Sequence, residues 1–161
     1  MVQPLFFPLL AALLCLATSA TAQTTCARPI IQLLHNEQPI AAAGSALVPV
    51  VTLRVEPEAG CPAQEYRFRH AQVTLVRRGR PVLPSKRVQD SELNLQALLR
   101  TYQTGDHLLI FIAYQDVALV SSSGTLVPLA TAKDAKPKTG QLDLRTDDSK
   151  GISFRWLLQR P

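Results

Sequence analysis

Two strongly apolar runs dominate the hydropathy pattern of the chain: YRFRHAQVTLV at residues 66–76 and HLLIFIAYQDVAL at residues 107–119. Residues 108–114 are apolar at every position, which predicts a strand covered on both faces. The first run is less regular. Tyr66 and Phe68 share one parity, whereas Val73 and Leu75 fall on the other. Side chains alternate strictly along a strand, so one extra residue near His70 and Ala71 is needed to bring all four into one core. We expect a β-bulge there. Between the two runs, RRGRP supplies a turn with the permissive backbone of Gly79, and residues 82–88 a return strand broken by Pro84.

The flanking segments keep the period of two. Leu47, Val51, Leu53 and Val55 alternate with Val50, Thr52 and Arg54, a half-buried strand over 46–55 in which Pro49 marks an edge or a bulge. PIIQLL at 29–34 predicts an edge strand, because Pro29 has no N–H to give to a ladder. Ile152, Phe154, Trp156 and Leu158 share one face of a last strand over 151–159, with Ser153, Arg155 and Gln159 opposite. Shorter strands are expected through VALV after Asp116, over 125–129 after a turn at 121–124, and at Leu142 and Leu144 beyond a loop-like 130–140. Residues 90–100 change period. Leu93, Ala97 and either Leu98 or Leu99 fit a helical face behind Asp90 or Ser91 as N-cap, and an extended path through SELNL is the alternative. The whole predicts an all-β fold: an Ig-like antiparallel β-sandwich with at most one short helix, in one domain over residues 23–161.

Residues 1–22 stand outside that fold. MVQPLFFPLLAALLCLATSATA has an apolar core at 5–16 and ends in Ala20, Thr21 and Ala22, the A-x-A pattern of a cleaved secretory signal peptide. A retained membrane helix needs about 20 apolar residues, and this core is shorter. The protein is therefore expected to be exported, to the periplasm or onward to the cell surface or medium. Cys15 leaves with the signal, and Cys26 and Cys61 remain. In an oxidising compartment such a pair forms a disulfide, two unpaired thiols being the alternative. Neither cysteine has a ligand-type neighbour at zinc-site spacing.

The formal charge of +5 changes its meaning with location. On an exported chain it points to an acidic partner, an anionic surface or simple solubility, and not to nucleic acid. The charge is unevenly spread. Arg67, Arg69, Arg77, Arg78, Arg80, Lys86 and Arg87 crowd into residues 66–87, which hold no acid. Guanidinium forks pair well with carboxylates, so this stretch is the candidate partner-binding surface; a solvated hairpin using arginine against edge pairing is the plainer alternative.

Recognisable catalytic chemistry is missing from the pattern. His35, His70 and His107 lie in different segments, the serines at 121–123 lack a nucleophile-elbow motif, and Asp143, Asp147 and Asp148 lack the spacing of a calcium loop. Trp156 sits among core-parity residues and not in a row of exposed rings. A non-enzymatic protein without cofactor or metal is expected.

The ordered set YRFRHAQVTLVRRGRPV, Asn94-Leu95, TGDHLLIFIAYQDVAL and SSSGTLVPLA, led in by VTLRVEPEAGCP, resembles the carboxy-terminal domain of GldM-type proteins over about residues 45–130. Those proteins are motor-associated parts of the type IX secretion and gliding machinery of Bacteroidetes, held in the inner membrane by a helix and ending in a β-rich contact domain. The resemblance implies a fold and a style of binding, with an envelope protein such as a secretion or gliding ring component as partner. It implies no catalytic residue, and the cleavable signal stands where the family keeps its membrane helix. A protein–protein interaction module is thus the expected function, through the arginine-rich surface or by strand addition at a sheet edge, with a carbohydrate- or cell-wall-binding module as the alternative.

A bridge between Cys26 and Cys61 would close a loop of about 36 residues and stabilise the fold by about 3–4 kcal/mol in the chain-entropy model. The mature protein should accordingly show no free thiol under denaturing, non-reducing conditions, and the Cys26→Ser/Cys61→Ser double variant should unfold at correspondingly lower denaturant.

Overall fold

The computed structural model describes residues 28–129 and 150–160. Among these residues no α-helix forms; the backbone is strand, joined by loops and 3-10 turns. In chain order the strands are β1 (Pro29–His35), β2 (Gln38–Pro39), β3 (Ser45–Ala46), β4 (Val50–Pro57), β5 (Glu65–Phe68), β6 (Ala71–Arg77), β7 (Arg80–Pro81), β8 (Lys86–Val88), β9 (Glu92–Asn94), β10 (His107–Ala113), β11 (Val117–Val120), β12 (Leu126–Pro128) and β13 (Gly151–Gln159). They form a four-stranded sheet in the order β2-β1-β4-β9, a larger sheet in the order β3-β13-β10-β6-β7 with β8 also on β6, and a three-stranded sheet in the order β12-β11-β5.

The alternation read from the sequence is what the core uses. Leu47, Val51, Leu53 and Val55 are buried while Val50 and Arg54 are exposed. Ile31 and Leu33 of β1 join them, and Ala71, Val73, Leu75, Leu108, Ile110, Ile112, Ile152, Trp156 and Leu158 meet them from the larger sheet in one hydrophobic cluster. Trp156 is fully buried, and its Nε1 donates to Ser45 Oγ at 2.9 Å, tying β13 to β3. That pairing is parallel, so the larger sheet is mixed and not purely antiparallel as expected. The chain crosses between sheets after β2 and reaches the edge of β13 running in the same direction.

Strand β10 lies between β6 and β13 and is buried on both faces, Leu108, Ile110 and Ile112 toward the cluster and Leu109 and Phe111 away from it. A Cβ on Gly151, opposite Ala113, would meet the Ile112 carbonyl oxygen and the Phe111 ring. Glycine is required there by close approach.

The hairpin after β6 turns through Arg78 (φ 50°) and Gly79 (φ 77°), both left-handed, the backbone of a two-residue hairpin loop whose twist suits its strands. Beyond it Val82 N donates to Leu75 O and the Ser85 hydroxyl meets that of Thr74, so Leu83 and Pro84 bulge out between β7 and β8. The return strand is interrupted where Pro84 predicts.

Further expectations change. The 46–55 run is split between β3 and β4, which lie in different sheets, and β1 is not an edge strand but lies between β2 and β4. The 66–76 run is not one bulged strand. It breaks at Arg69 and His70, where the chain passes from the three-stranded to the larger sheet, and its partner passes likewise from β10 to β11. From the Phe111–Gln72 pair to the Val117–Phe68 pair, six residues elapse on one side and four on the other. The extra length falls in the 3-10 turn Tyr114–Asp116 of the partner strand, and Arg69 N still donates to Asp116 O at 2.7 Å across the bend. Residues 90–100 take the extended alternative. β9 pairs with β4, burying Leu93 and Leu95 at period two, and helicity is limited to the 3-10 turn Leu98–Arg100. The ladder to β4 outweighs a weak helical face. Cys26, the strand expected at Leu142 and Leu144, and the loop at 130–140 lie outside the described residues.

Gly151→Ala forces a methyl group against backbone and should destabilise the domain by about 1–3 kcal/mol, as overpacking does. Chemical denaturation of the variant against the parent reads this directly.

Candidate functional site

The seven basic residues do not form one ridge. Arg67 and Arg69 lie on or beside β5 in the three-stranded sheet, and the other five lie on β6, its turn and β7–β8. Arg67 is exposed and pairs with Glu65 at 3.2 Å. Arg80 stands opposite Arg77, Lys86 opposite Val73 and Arg87 opposite Gln72, which places Lys86 and Arg87 on opposite faces of β8.

Arg77 is engaged inside the fold. Its Nε donates to Asp106 Oδ1 and its Nη2 to Asp106 Oδ2, each at 2.9 Å, and Nη2 also donates to Thr101 O at 3.0 Å. Gln103 N donates to Asp106 Oδ2 at 2.7 Å. Asp106 is 2% exposed, and its own carbonyl accepts from Leu158 N. This two-pronged pairing is the geometry that a guanidinium and a carboxylate favour. The hydrogen bonds from Arg77 hold the Asp106 carboxyl below the ordinary carboxylate range; burial opposes them and the Gln103 N–H reinforces them. Arg77 therefore leaves the candidate contact set. The sequence did not show which residue Arg77 pairs with, because the partners are 29 residues apart. The signal was a lone acid opening an otherwise apolar strand.

Arg69, Arg78, Arg80, Lys86 and Arg87 are exposed and make no ion pair among the described residues. Arg77, Arg78, Arg80, Pro81 and Val82 line a shallow groove. With the hairpin root held by the Arg77–Asp106 pair, these cations project from a braced edge.

Two of the three histidines, His35 and His70, make side-chain hydrogen bonds. His70 places Nδ1 3.2 Å from Asp116 Oδ1 and Nε2 3.1 Å from the side-chain nitrogen of Gln89, so the ring spans the bend from one sheet to the next. A carboxylate orients this imidazole, but its other nitrogen meets an amide and not a nucleophile. His35 Nδ1 lies 3.1 Å from Val50 O. Among the described residues, no three His, Cys, Asp or Glu gather as a metal would require.

A larger feature escaped the sequence reading. β9 pairs with β4 only at Val50, Val51 and Thr52, and Leu53 N makes one further bond to Ser91 O before the chain departs toward β8. Beyond that point the far edge of β4 opens on a cleft of about 880 Å³, walled across from it by β5 and closed at one end by residues 89–91. No local sequence signal marks it, since it arises where three sheets fail to meet.

Comparison of the chain with protein-family models, with curated proteins and with solved structures finds no match.

Removing the buried carboxylate tests the brace. Asp106→Ala should lose on the order of 2–3 kcal/mol near neutral pH. A lowered native pKa stabilises fully above the unfolded value of about 4 and is lost as pH falls through the native one. The difference between parent and variant in urea denaturation should hence be constant from pH 5 to 8 and shrink in more acid solution.

Proposed function

We propose that this chain is an exported, non-enzymatic protein–protein contact module on an immunoglobulin-like sandwich, an accessory to envelope machinery of the secretion or gliding kind that its sequence resembles. The observation that carries the reading is the braced hairpin edge: Arg78, Arg80, Lys86 and Arg87 stand exposed without an acidic partner among the described residues, on a root held by the pairing of half-buried Arg77 with buried Asp106. Long cations on a rigid support lose less freedom on docking than cations on a loop, and they suit a carboxylate-rich protein surface.

Strand order supports the sandwich. Of the six principal strands β1, β4, β6, β9, β10 and β13, the first, second and fourth form one sheet and the third, fifth and sixth the other. An immunoglobulin-like sandwich without its D strand would divide its strands in the same way, which supports that reading. The inward residues of both sheets share one cluster, as face-to-face packing requires. The carbohydrate-binding alternative needs an exposed ring for stacking, and every described aromatic side chain is buried or half-buried. The predicted signal peptide and the polarity of the hairpin favour an envelope protein as partner.

In-cell crosslinking of the tagged mature protein in its native host, followed by mass spectrometry, tests the proposal. Envelope proteins with acidic surfaces should be captured by the parent and lost with Arg78→Glu/Arg80→Glu, a variant that spares Arg77 and so the fold. Equal capture by both proteins, or recovery of cell-wall polysaccharide alone, would remove the hairpin from the binding role.

A further inference from the structure

We propose that Arg78 and Arg80 of the hairpin and Arg100 of the 3-10 turn form one docking site for a run of carboxylates in a partner protein, a run that also carries apolar side chains. The inference rests on the contact-module reading above and narrows its surface to one end of the larger sheet. Arg100 enters through the brace. Arg77 Nη2 donates to Thr101 O at 3.0 Å, so the turn Leu98–Arg100 is tied to the hairpin root through the residue that follows it. Leu98 and Leu99 are half-buried against the hydrophobic cluster, which leaves Arg100 on the solvent side. Like Arg78 and Arg80, it is exposed and makes no ion pair among the described residues. Within residues 76–83 and 94–108, which build this end, the one acid is Asp106, and Arg77 already holds it. Three exposed cations thus stand on two segments joined by one guanidinium, with no free carboxylate on either.

Lys86 and Arg87 fall outside this site. They pair with Val73 and Gln72, four and five residues along β6 from Arg77, which is about 13–17 Å at strand spacing. Surface charges are screened over about 8 Å at physiological ionic strength, so an acidic run seated at the hairpin end gains little from them. The composition of the occupant follows from what lies beside the arginines. Pro81 and Val82 line the same shallow groove as Arg78 and Arg80, and Leu83, next along the chain, is 39% exposed. A polyphosphate chain offers charge without an apolar body. An acidic peptide segment can set carboxylates against the guanidinium forks and lay an aliphatic side chain on the apolar surface beside them. Cations gathered without an acid among them repel one another, and a partner that answers all three relieves that repulsion.

The test titrates the mature protein, near physiological ionic strength, with a blocked octapeptide of six glutamates and two leucines. Inorganic polyphosphate of equal charge is the comparison probe. Arg100→Glu alone should weaken the peptide about fivefold or more, as should Arg78→Glu/Arg80→Glu, while Lys86→Glu/Arg87→Glu stays within about twofold of the parent. Arg100→Gln, which removes the charge without adding an acid beside the brace, should weaken it about twofold or more, and chemical denaturation checks that each variant keeps the fold. Replacing the two leucines by serines should cost about threefold or more. No binding by the parent up to about 1 mM peptide, parent affinity in both Arg100 variants, or equal loss in Lys86→Glu/Arg87→Glu would each overturn the proposal. Tighter binding of polyphosphate than of the peptide would do so as well, by making the site one for polyanions. If Arg78→Glu/Arg80→Glu weakens the peptide and the Arg100 variants do not, this inference falls and the hairpin reading stands; if no reversal matters, both fall.

Discussion

A carboxylate held out of water at the mouth of the central strand constrains much of this fold. Asp106 precedes β10, and a buried charge is tolerated only when its oxygens are answered. The carboxylate is answered from two directions, by the guanidinium of Arg77 at the end of β6 and by the N–H of Gln103 in the preceding loop, while Leu158 of β13 donates to the Asp106 main-chain carbonyl. Both neighbours of β10 are thereby aligned to it at the same end. From there the apolar side chains of β10 fix the register, since a slip of one residue would exchange the set facing the core with the set on the other face.

The other end of the same ribbon bends and does not stop. β6 and β10 lead into β5 and β11 through a shared corner, where the turn Tyr114–Asp116 absorbs the extra residues and His70 reaches both Asp116 and Gln89. The bend carries Tyr66 and Phe68 onto the edge of the same hydrophobic cluster from a third sheet. It also leaves the cleft open: once β5 follows β11 away from the larger sheet, neither it nor the chain before β9 covers the far edge of β4. Corner and cleft are two consequences of one change of sheet.

Surface charge divides along the same lines. Arginines that look equivalent in the sequence have different work. Arg77 braces, Arg67 is neutralised by its neighbour Glu65, and Arg78, Arg80, Lys86 and Arg87 remain toward solvent on an edge. Cations on an edge strand also discourage indiscriminate pairing with other strands.

Much of the secondary structure was legible in the chain, because burial on one face imposes a period of two that survives any arrangement of sheets. Leu47 to Val55, Ile152 to Leu158 and the unbroken run of β10 declared their inward sides before any contact was known. Gly79 and Pro84 likewise act locally, through φ and through a missing N–H, and their turn and break stand where they were expected. Tertiary structure decided the rest. Residues 90–100 could satisfy either period, and the open ladder of β4 made them a strand. The break at Arg69 and His70, the pairing of Arg77 with Asp106 and the cleft beside Val55 depend on segments distant in sequence that meet in space. Patterns along a chain encode which side of a strand is apolar; they do not encode which strand it lies beside.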